Sequence, residues 1–276
     1  MTIGAQMMAV IRSHRKSSKN EAYARSIELL REVGITDPER TMRQYPHQLF
    51  GGMRQRVVIA IALSQDPKLL ICDEPTTALD VTIQERILDL LQNIQRARGL
   101  SIIFITHNLG VVTKIADYVG VMYAGKIIER GTVFDVFFDP RHPYTWGLLS
   151  AVPDMSDDKN DLYSIPGTPP DLTKPIVGDA FAPRNPYALA IDFKAEPPLF
   201  QISGTHYAAT WLADPRAPKT EMPKDLSERI QKMKQEAKER RQNVMIVSMG
   251  RTPDEPEYEL PLDGEGDAAV YVLSRI

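Results

Sequence analysis

The stretch Gln48 to Asp80, QLFGGMRQRVVIAIALSQDPKLLICDEPTTALD, constrains the fold more than any other part of the chain. It reads as a turn, a helix, a strand and a strand end made of acids. Gly51 and Gly52 stand just before a helix expected over about Met53 to Ser64. Glycines ahead of a helix let backbone N–H groups approach an anion closely, and the helix dipole adds positive potential there. Arg54 and Arg56 fall early in that helix, where cations are unfavourable, which implies a compensating negative ligand or carboxylate. Leu69-Leu70-Ile71-Cys72 is an apolar run of strand length, read as buried. It stops at Asp73-Glu74-Pro75, because proline cannot extend a sheet ladder. Adjacent residues at a strand end face opposite ways. One carboxylate can therefore reach a metal-bound water while the other holds an attacking water.

The rest of the composition excludes several classes. With 276 residues, 43% of them hydrophobic, the chain can bury a sizeable core in one or two domains. A net charge of -3 gives no basic field for nucleic acid. The lone cysteine, Cys72, lies in the expected strand, so neither a disulfide nor a cysteine metal framework is available. No apolar stretch reaches the roughly 18 residues of a membrane span, and no signal-peptide pattern is present. A soluble, intracellular chain is expected, reaching a membrane only through a partner.

Around the central stretch the pattern alternates. Residues 1–43 read as helical: Asn20 can cap a helix through Val33, which Gly34 ends, and Asp37-Pro38 caps a short one. His47 reads as structural or exposed. Asp80 can cap a helix over Val81–Arg98, with the stripe Ile83, Ile87, Leu90, Leu91 and Ile94 facing a sheet and Gly99 closing it. Ser101–Ile105 reads as a second buried strand ending in Thr106-His107, with Asn108 capping the next helix. Alternating strands and helices imply a parallel sheet whose ligands bind at the C-terminal strand ends. Asp73, Glu74 and His107 are expected on that edge.

Gly120 to Lys126 spells G-x-x-x-x-G-K, the start of a phosphate-binding loop, but the pattern fails. Val-Met-Tyr-Ala in its middle are strand formers, Ile127 replaces the magnesium-binding hydroxyl, and no helix follows. A hairpin, Tyr118–Tyr123 returning through Lys126–Glu129, is expected instead. Thr132 to Pro153 reads as two short helices, followed by a proline-rich, loop-rich stretch to about Pro218. Lys224 to Arg241 reads as a charged helix with Leu226, Ile230, Met233 and Ala237 on one face. Pro253 to Pro256 reads as an acidic linker, and Val244–Val247 and Ala269–Leu273 as marginal strands.

GGMRQR followed by LLICDEPTTALD resembles the signature loop, Walker B strand and D-loop of ABC-type ATPases, in particular the ATPase subunits of oligopeptide and dipeptide importers. HPYTWGLLSAVP and GDAFAPRNPYALAIDF resemble the segments that follow the ATPase core in those importers. The resemblance implies an α/β fold: a partial ABC-type P-loop NTPase domain, with a helical subdomain, a parallel-sheet core lacking its first strands, and a loop-rich C-terminal appendage. The divisions are 1–49 for the helical subdomain, 50–150 for the second part of the core, 151–218 for the appendage and 219–276 for a charged helix and tail.

The resemblance also implies roles. Asp73 holds Mg²⁺, usually through water, Glu74 is the general base, and His107 is the switch histidine at the terminal phosphate. Gly51, Gly52 and Gln55 belong to the signature loop, and Asp80 to the D-loop, although capping alone explains an aspartate there. The cofactors are ATP and Mg²⁺. The partners are a second ATPase subunit, transmembrane permease subunits and, indirectly, an extracellular peptide-binding protein. The location is cytoplasmic, on the inner face of the membrane.

Three departures stand out. Many relatives carry four tail cysteines for an iron–sulfur cluster, where this chain has Asp179, Asn185, Asp192 and Thr210. Oxygen and amide donors replace thiolates poorly, so no cluster is expected, and Phe181, Tyr187, Phe193, Phe200 and Trp211 are expected to hold the tail by packing. Phe50 stands where the family usually has a phosphate-binding serine. Met1 already stands in the helical region, with no acceptable P-loop in the chain, so an N-terminally truncated subunit without hydrolysis of its own is expected. The alternative is a degenerate, non-hydrolysing ABC module or a gene remnant that acts, if at all, by binding partners.

Overall fold

The computed structural model describes residues 1–14, 16–152, 164–235 and 270–274. The Val244–Val247 strand, the Pro253–Pro256 linker, Ala237 and the end of the charged helix lie outside the described residues. The chain divides into two compact units, one built mainly from Met1–Thr106 and one from His107 onward.

The first unit opens with three helices, α1 (Ile3–His14), α2 (Lys19–Glu32) and α3 (Pro38–Arg43). Ser18, not Asn20, caps α2. Its hydroxyl accepts the Glu21 N–H at 3.2 Å while Ser18 N–H donates to the Glu21 carboxylate at 2.7 Å. This reciprocal Ser-x-x-Glu pair satisfies two open donors, whereas Asn20 already lies inside the first turn. Asp37 caps α3 with Pro38 leading it, as its sequence implies. A short 3-10 turn, Pro46–Gln48, leads into α4 (Gly51–Leu63), then β1 (Leu69–Asp73), α5 (Val81–Arg98) and β2 (Ser101–Ile105). β1 and β2 are parallel, in register from Leu69↔Ser101 to Asp73↔Ile105. Gly99 ends α5 in the left-handed region, and the buried face of α5 carries Ile87, Leu88, Leu91 and Ile94, with Leu88 rather than Leu90 fully inside. Arg98, in the last turn of α5, donates to Glu32 at 2.6 Å, to Asp66 at 3.1 Å and to the Leu63 carbonyl at 3.3 Å. Asp66 also accepts from Arg25 at 2.8 Å. A cation at a helix C-terminus is favourable, and this one fastens α5 to α2 and to the turn before β1.

The second unit contains α6 (Leu109–Ile115), capped by Asn108, and a hairpin of β3 (Tyr118–Tyr123) and β4 (Lys126–Thr132). Gly120 lies within β3 and Lys126 opens β4, so the G-x-x-x-x-G-K stretch is a strand and a tight turn. Lys126 is paired with Glu196 at 2.5 Å. Helices α7 (Val133–Phe138) and α8 (Pro143–Ser150) come next, and the short strands β5 (Phe200–Gln201) and β6 (Tyr207–Ala208) extend the hairpin, β6 antiparallel to β4. Tyr123, Tyr144 and Phe181 pack ring against ring at centroid distances of 4.7 to 5.3 Å. A ninth described helix, α9, spans 224–235 with Leu226 and Ile230 buried. Val270–Ser274 forms β7, which the sequence marked as a marginal strand. No helix among the described residues is long and apolar enough to cross a membrane.

Candidate functional site

Gly51 and Gly52 are the first two residues of α4, not a turn ahead of it, and Phe50 takes the N-cap position without a side-chain hydrogen bond. Its ring is 83% exposed. Gly52 is required by close approach: a Cβ there would stand 2.7 Å from Ile83 Cγ2 on α5. The glycine therefore lets α4 begin flush against the start of α5, a packing reason that stands beside any anion-binding one. An open cleft of about 620 Å³ lies at this junction, lined by Phe50, Gly51, Gly52, Arg56, Asp80 and Ile83 among others. Gln55 is not among the lining residues. Asp80 accepts the Ile83 N–H at 2.9 Å, so the capping role is real. Arg56 hydrogen-bonds the Val33 carbonyl at the end of α2. The negative end of another helix thus supplies compensation for that arginine.

At the other end of α4's path, β1 alternates. Leu70 and Cys72 point inward, while Leu69, Ile71 and Asp73 are exposed, Ile71 at 62%. The expectation of a fully buried strand is corrected: one face of β1 is covered by the described residues and the other is open. Burial pushes the Cys72 thiol up to about 12, which makes it unreactive. Glu74 leaves the strand with φ 47, its N–H on the Ile105 carbonyl at 2.9 Å. A non-glycine residue in this region is strained by order of 1 kcal/mol, and such strain concentrates at functional positions. Thr77 donates its hydroxyl to the Glu74 carboxylate at 2.9 Å and its N–H to the Glu74 carbonyl at 3.2 Å. The carboxylate is therefore aimed, at a half-exposed position where a water can reach it.

Two family models match the chain: "ABC transporter" over residues 4–77 and "Oligopeptide/dipeptide transporter, C-terminal region" over residues 128–191. The oligopeptide transport ATP-binding protein OppD of Bacillus subtilis is 56% identical over 234 residues, covering 84% of this chain and 65% of that protein. AmiE of Streptococcus pneumoniae is 57% identical over 222 residues (80% and 62%), and the dipeptide transport protein DppD of Lactococcus lactis is 57% identical over 220 (79% and 63%). Over most of its length the chain is similar to ATP-binding proteins of oligopeptide and dipeptide transport. It spans somewhat under two thirds of the length of these three curated relatives.

In the first unit, Gly51, Gly52 and Asp80 come together around one cleft. Asp73 and Glu74 share the tip of β1, with Asp73 level with Ile105 at the tip of β2. His107, two residues after Ile105, opens the second unit. Residues that the sequence reading passed over also matter. Thr77 orients Glu74, and it lies in the run Pro75 to Asp80 that follows the acids. In the second unit Glu129 is wholly buried and accepts the Arg141 N–H at 2.6 Å, the His142 N–H at 3.0 Å and a hydrogen bond with His206 Nε2 at 2.8 Å. His142 caps α8 by accepting the Tyr144 N–H at 3.0 Å, and burial lowers its pKa to about 3, the Ala209 backbone acting in the opposite direction. The His142-Pro143-Tyr144 run is thus a helix start: cap, leading proline, and a tyrosine for the aromatic core.

Proposed function

We propose that this chain is an ATP-binding subunit of an importer for oligopeptides or dipeptides, coupled to peptide uptake through permease subunits. The 56% identity to a curated oligopeptide transport ATP-binding protein, across the stretch that carries the glycine-led helix and the acid-tipped strand, carries this reading. In it, two ATPase subunits close on two nucleotides. Gly51, Gly52 and Gln55, with Asp80, face the partner's nucleotide. Glu74, held by Thr77, takes the proton of the attacking water, and His107 positions the terminal phosphate. Among the described residues no group of three or more acids, histidines and cysteines could hold a metal alone. That suits magnesium, which keeps several waters and binds through one or two carboxylates plus phosphate oxygens. Asp73, exposed at the strand tip, fits that part. When bound, the ion neutralises charge developing on the phosphates. The chain then works on the inner face of the membrane, with an extracellular peptide-binding protein supplying peptide.

One observation supports a second reading, a module that binds partners without hydrolysing. Phe50 is exposed at the N-cap of α4 and has no group to donate to a phosphate.

The test is competition. Overproduced beside an intact transporter, the chain is expected to co-purify with the permease subunits and to lower uptake of labelled peptide several-fold. The purified chain is expected to show no magnesium-dependent ATP turnover, either wild type or as Glu74→Gln. Unchanged uptake with no co-purification sinks the importer reading, and clear turnover by the wild type sinks the inactive-alone reading.

A further inference from the structure

The four tail positions at which the resembled family carries cluster-binding cysteines are all buried here, at 7% for Asp179, 8% for Asn185, 2% for Asp192 and 4% for Thr210. Each side chain is already engaged by the backbone. Asp179 accepts the Phe181 N–H at 3.0 Å, Asn185 the Tyr187 N–H at 2.9 Å, and Thr210 the Leu212 N–H at 3.3 Å. Asp192 accepts the Leu189 N–H at 2.5 Å. Three of the four are short i to i+2 closures of the Asx and Ser/Thr type. Carboxylate, amide and hydroxyl groups do not fit an iron–sulfur cluster, which is held by thiolates.

The loops they close are also drawn tightly together. Asp179 N–H donates to the Asp192 carbonyl at 2.7 Å. Gly178 sits at φ 77, and a Cβ on it would stand 2.1 Å from the same Asp192 oxygen, so only glycine fits. The Trp211 indole N–H donates to the Ala195 carbonyl at 2.9 Å and its ring packs on Phe200. Phe181 is buried among Tyr123, His142 and Tyr144, and Tyr187 packs on Trp146, as expected from sequence. Phe193 is 53% exposed and takes no such part, a correction to the packing expected of it. The space beside Asp179, lined also by Gly178, Ile128 and Ala209, is about 60 Å³, room for only a few waters.

We propose that the tail of this chain holds its fold without an iron–sulfur cluster, with Asp179, Asn185, Asp192 and Thr210 serving as buried, turn-closing groups that brace the crossing of the loops at Gly178 and Asp192. This assignment does not depend on the transport reading. Its stability is then indifferent to iron, sulfide and oxygen, and sensitive to loss of any one acceptor.

The test uses the full chain, incubated anaerobically with ferrous iron and sulfide and then desalted. Iron and sulfide content, visible absorbance and hydrogen exchange of residues 178–213 are measured before and after. No retained iron-sulfide pair and an unchanged exchange pattern are expected. Beside it, Asp192→Ala is expected to speed exchange around Leu189 and Asp179 at least tenfold, while Asp192→Asn, which keeps an acceptor, stays near wild type. Stoichiometric iron and sulfide with slower exchange overturns the proposal, and so does an unchanged exchange pattern in Asp192→Ala.

Discussion

Two pairs of acids in this chain live in opposite surroundings. Asp73 and Glu74 end a strand in the open, one exposed and the other half-exposed with its backbone strained and a threonine hydroxyl on its carboxylate. Asp179 and Asp192 lie inside the second unit, each accepting a backbone N–H and neither reaching solvent freely. The first arrangement keeps the carboxylates within reach of solvent. The second uses them to close turns. A carboxylate's chemistry is therefore set by what already occupies its lone pairs and by access to water, more than by its place in a motif.

The comparison is sharpest at Glu129, which carries the buried arrangement to its limit. Its carboxylate has three donors and no contact with solvent. Glu129→Ala leaves the Arg141 and His142 N–H groups and His206 unpaired inside the protein. Each buried polar group left without its partner costs about 1–3 kcal/mol, so several kcal/mol are lost together. Denaturant unfolding followed by tryptophan fluorescence, with Trp146 in the same unit, is expected to shift by that amount. Glu74→Gln, at the open tip of β1, is expected to change stability by less than about 0.5 kcal/mol, as surface substitutions usually do. Equal effects at the two positions break the distinction.

Asp179 gives the next largest effect, with a sign that depends on pH. Burial raises its pKa to about 6, opposed by the hydrogen bond from Phe181 and reinforced by Asp192 and Glu196. Asp192, also raised by burial, and Glu196, paired with Lys126, are the charged groups that bear on it. A folded-state pKa above the unfolded value means that the neutral acid is favoured in the fold. The stabilisation is complete below the unfolded value of 3.8 and is lost as pH rises through about 6. A shift of one pKa unit corresponds to about 1.4 kcal/mol, and partial solvent screening reduces the yield here to about 1–2 kcal/mol. Asp179→Asn removes the titration and keeps an acceptor. It is expected to be more stable than wild type at pH 7.5, with the advantage disappearing near pH 4. An advantage that is independent of pH refutes the assignment.

The same contrast explains what the sequence disclosed. Strand and helix limits were legible where local chemistry sets them. Asp80 and Gly99 bound α5, Asn108 starts α6, and the Ala124-Gly125 turn exposes the false phosphate-loop pattern as a hairpin. The acid-tipped end of β1 was legible as well, because an apolar run meets Asp73, Glu74 and a proline there. The features that stayed hidden depend on partners far along the chain. Arg56 is compensated by a carbonyl of α2, 23 residues away, and Glu129 by a histidine 77 residues away. Neither spacing leaves a local pattern. The capping of α2 was missed for the opposite reason: two candidates lay side by side, and only the reciprocal bond from Glu21 selects Ser18.

Phe50 yields the smallest effect and probes the open region most directly. Its backbone already has the extended N-cap conformation, φ -67 and ψ 159, but its side chain offers no acceptor to the first N–H groups of α4. Because the ring is mostly in water, losing it removes little packing. A serine in its place can accept the N–H of Gly52 or Met53, and such caps contribute about 0.5–1 kcal/mol relative to a residue without one. Phe50→Ser is therefore expected to stabilise the first unit by that amount in denaturant unfolding. Buried positions behave in the reverse way, since a new polar group there needs a partner. If Phe50→Ser instead destabilises the unit, the ring is packed against a surface, and the cleft at Gly51 and Gly52 is less open than its lining implies. If it stabilises and also lowers the Mg²⁺-ATP concentration needed to protect α4 from hydrogen exchange, the missing hydroxyl at position 50 weakened nucleotide contact as well as the helix.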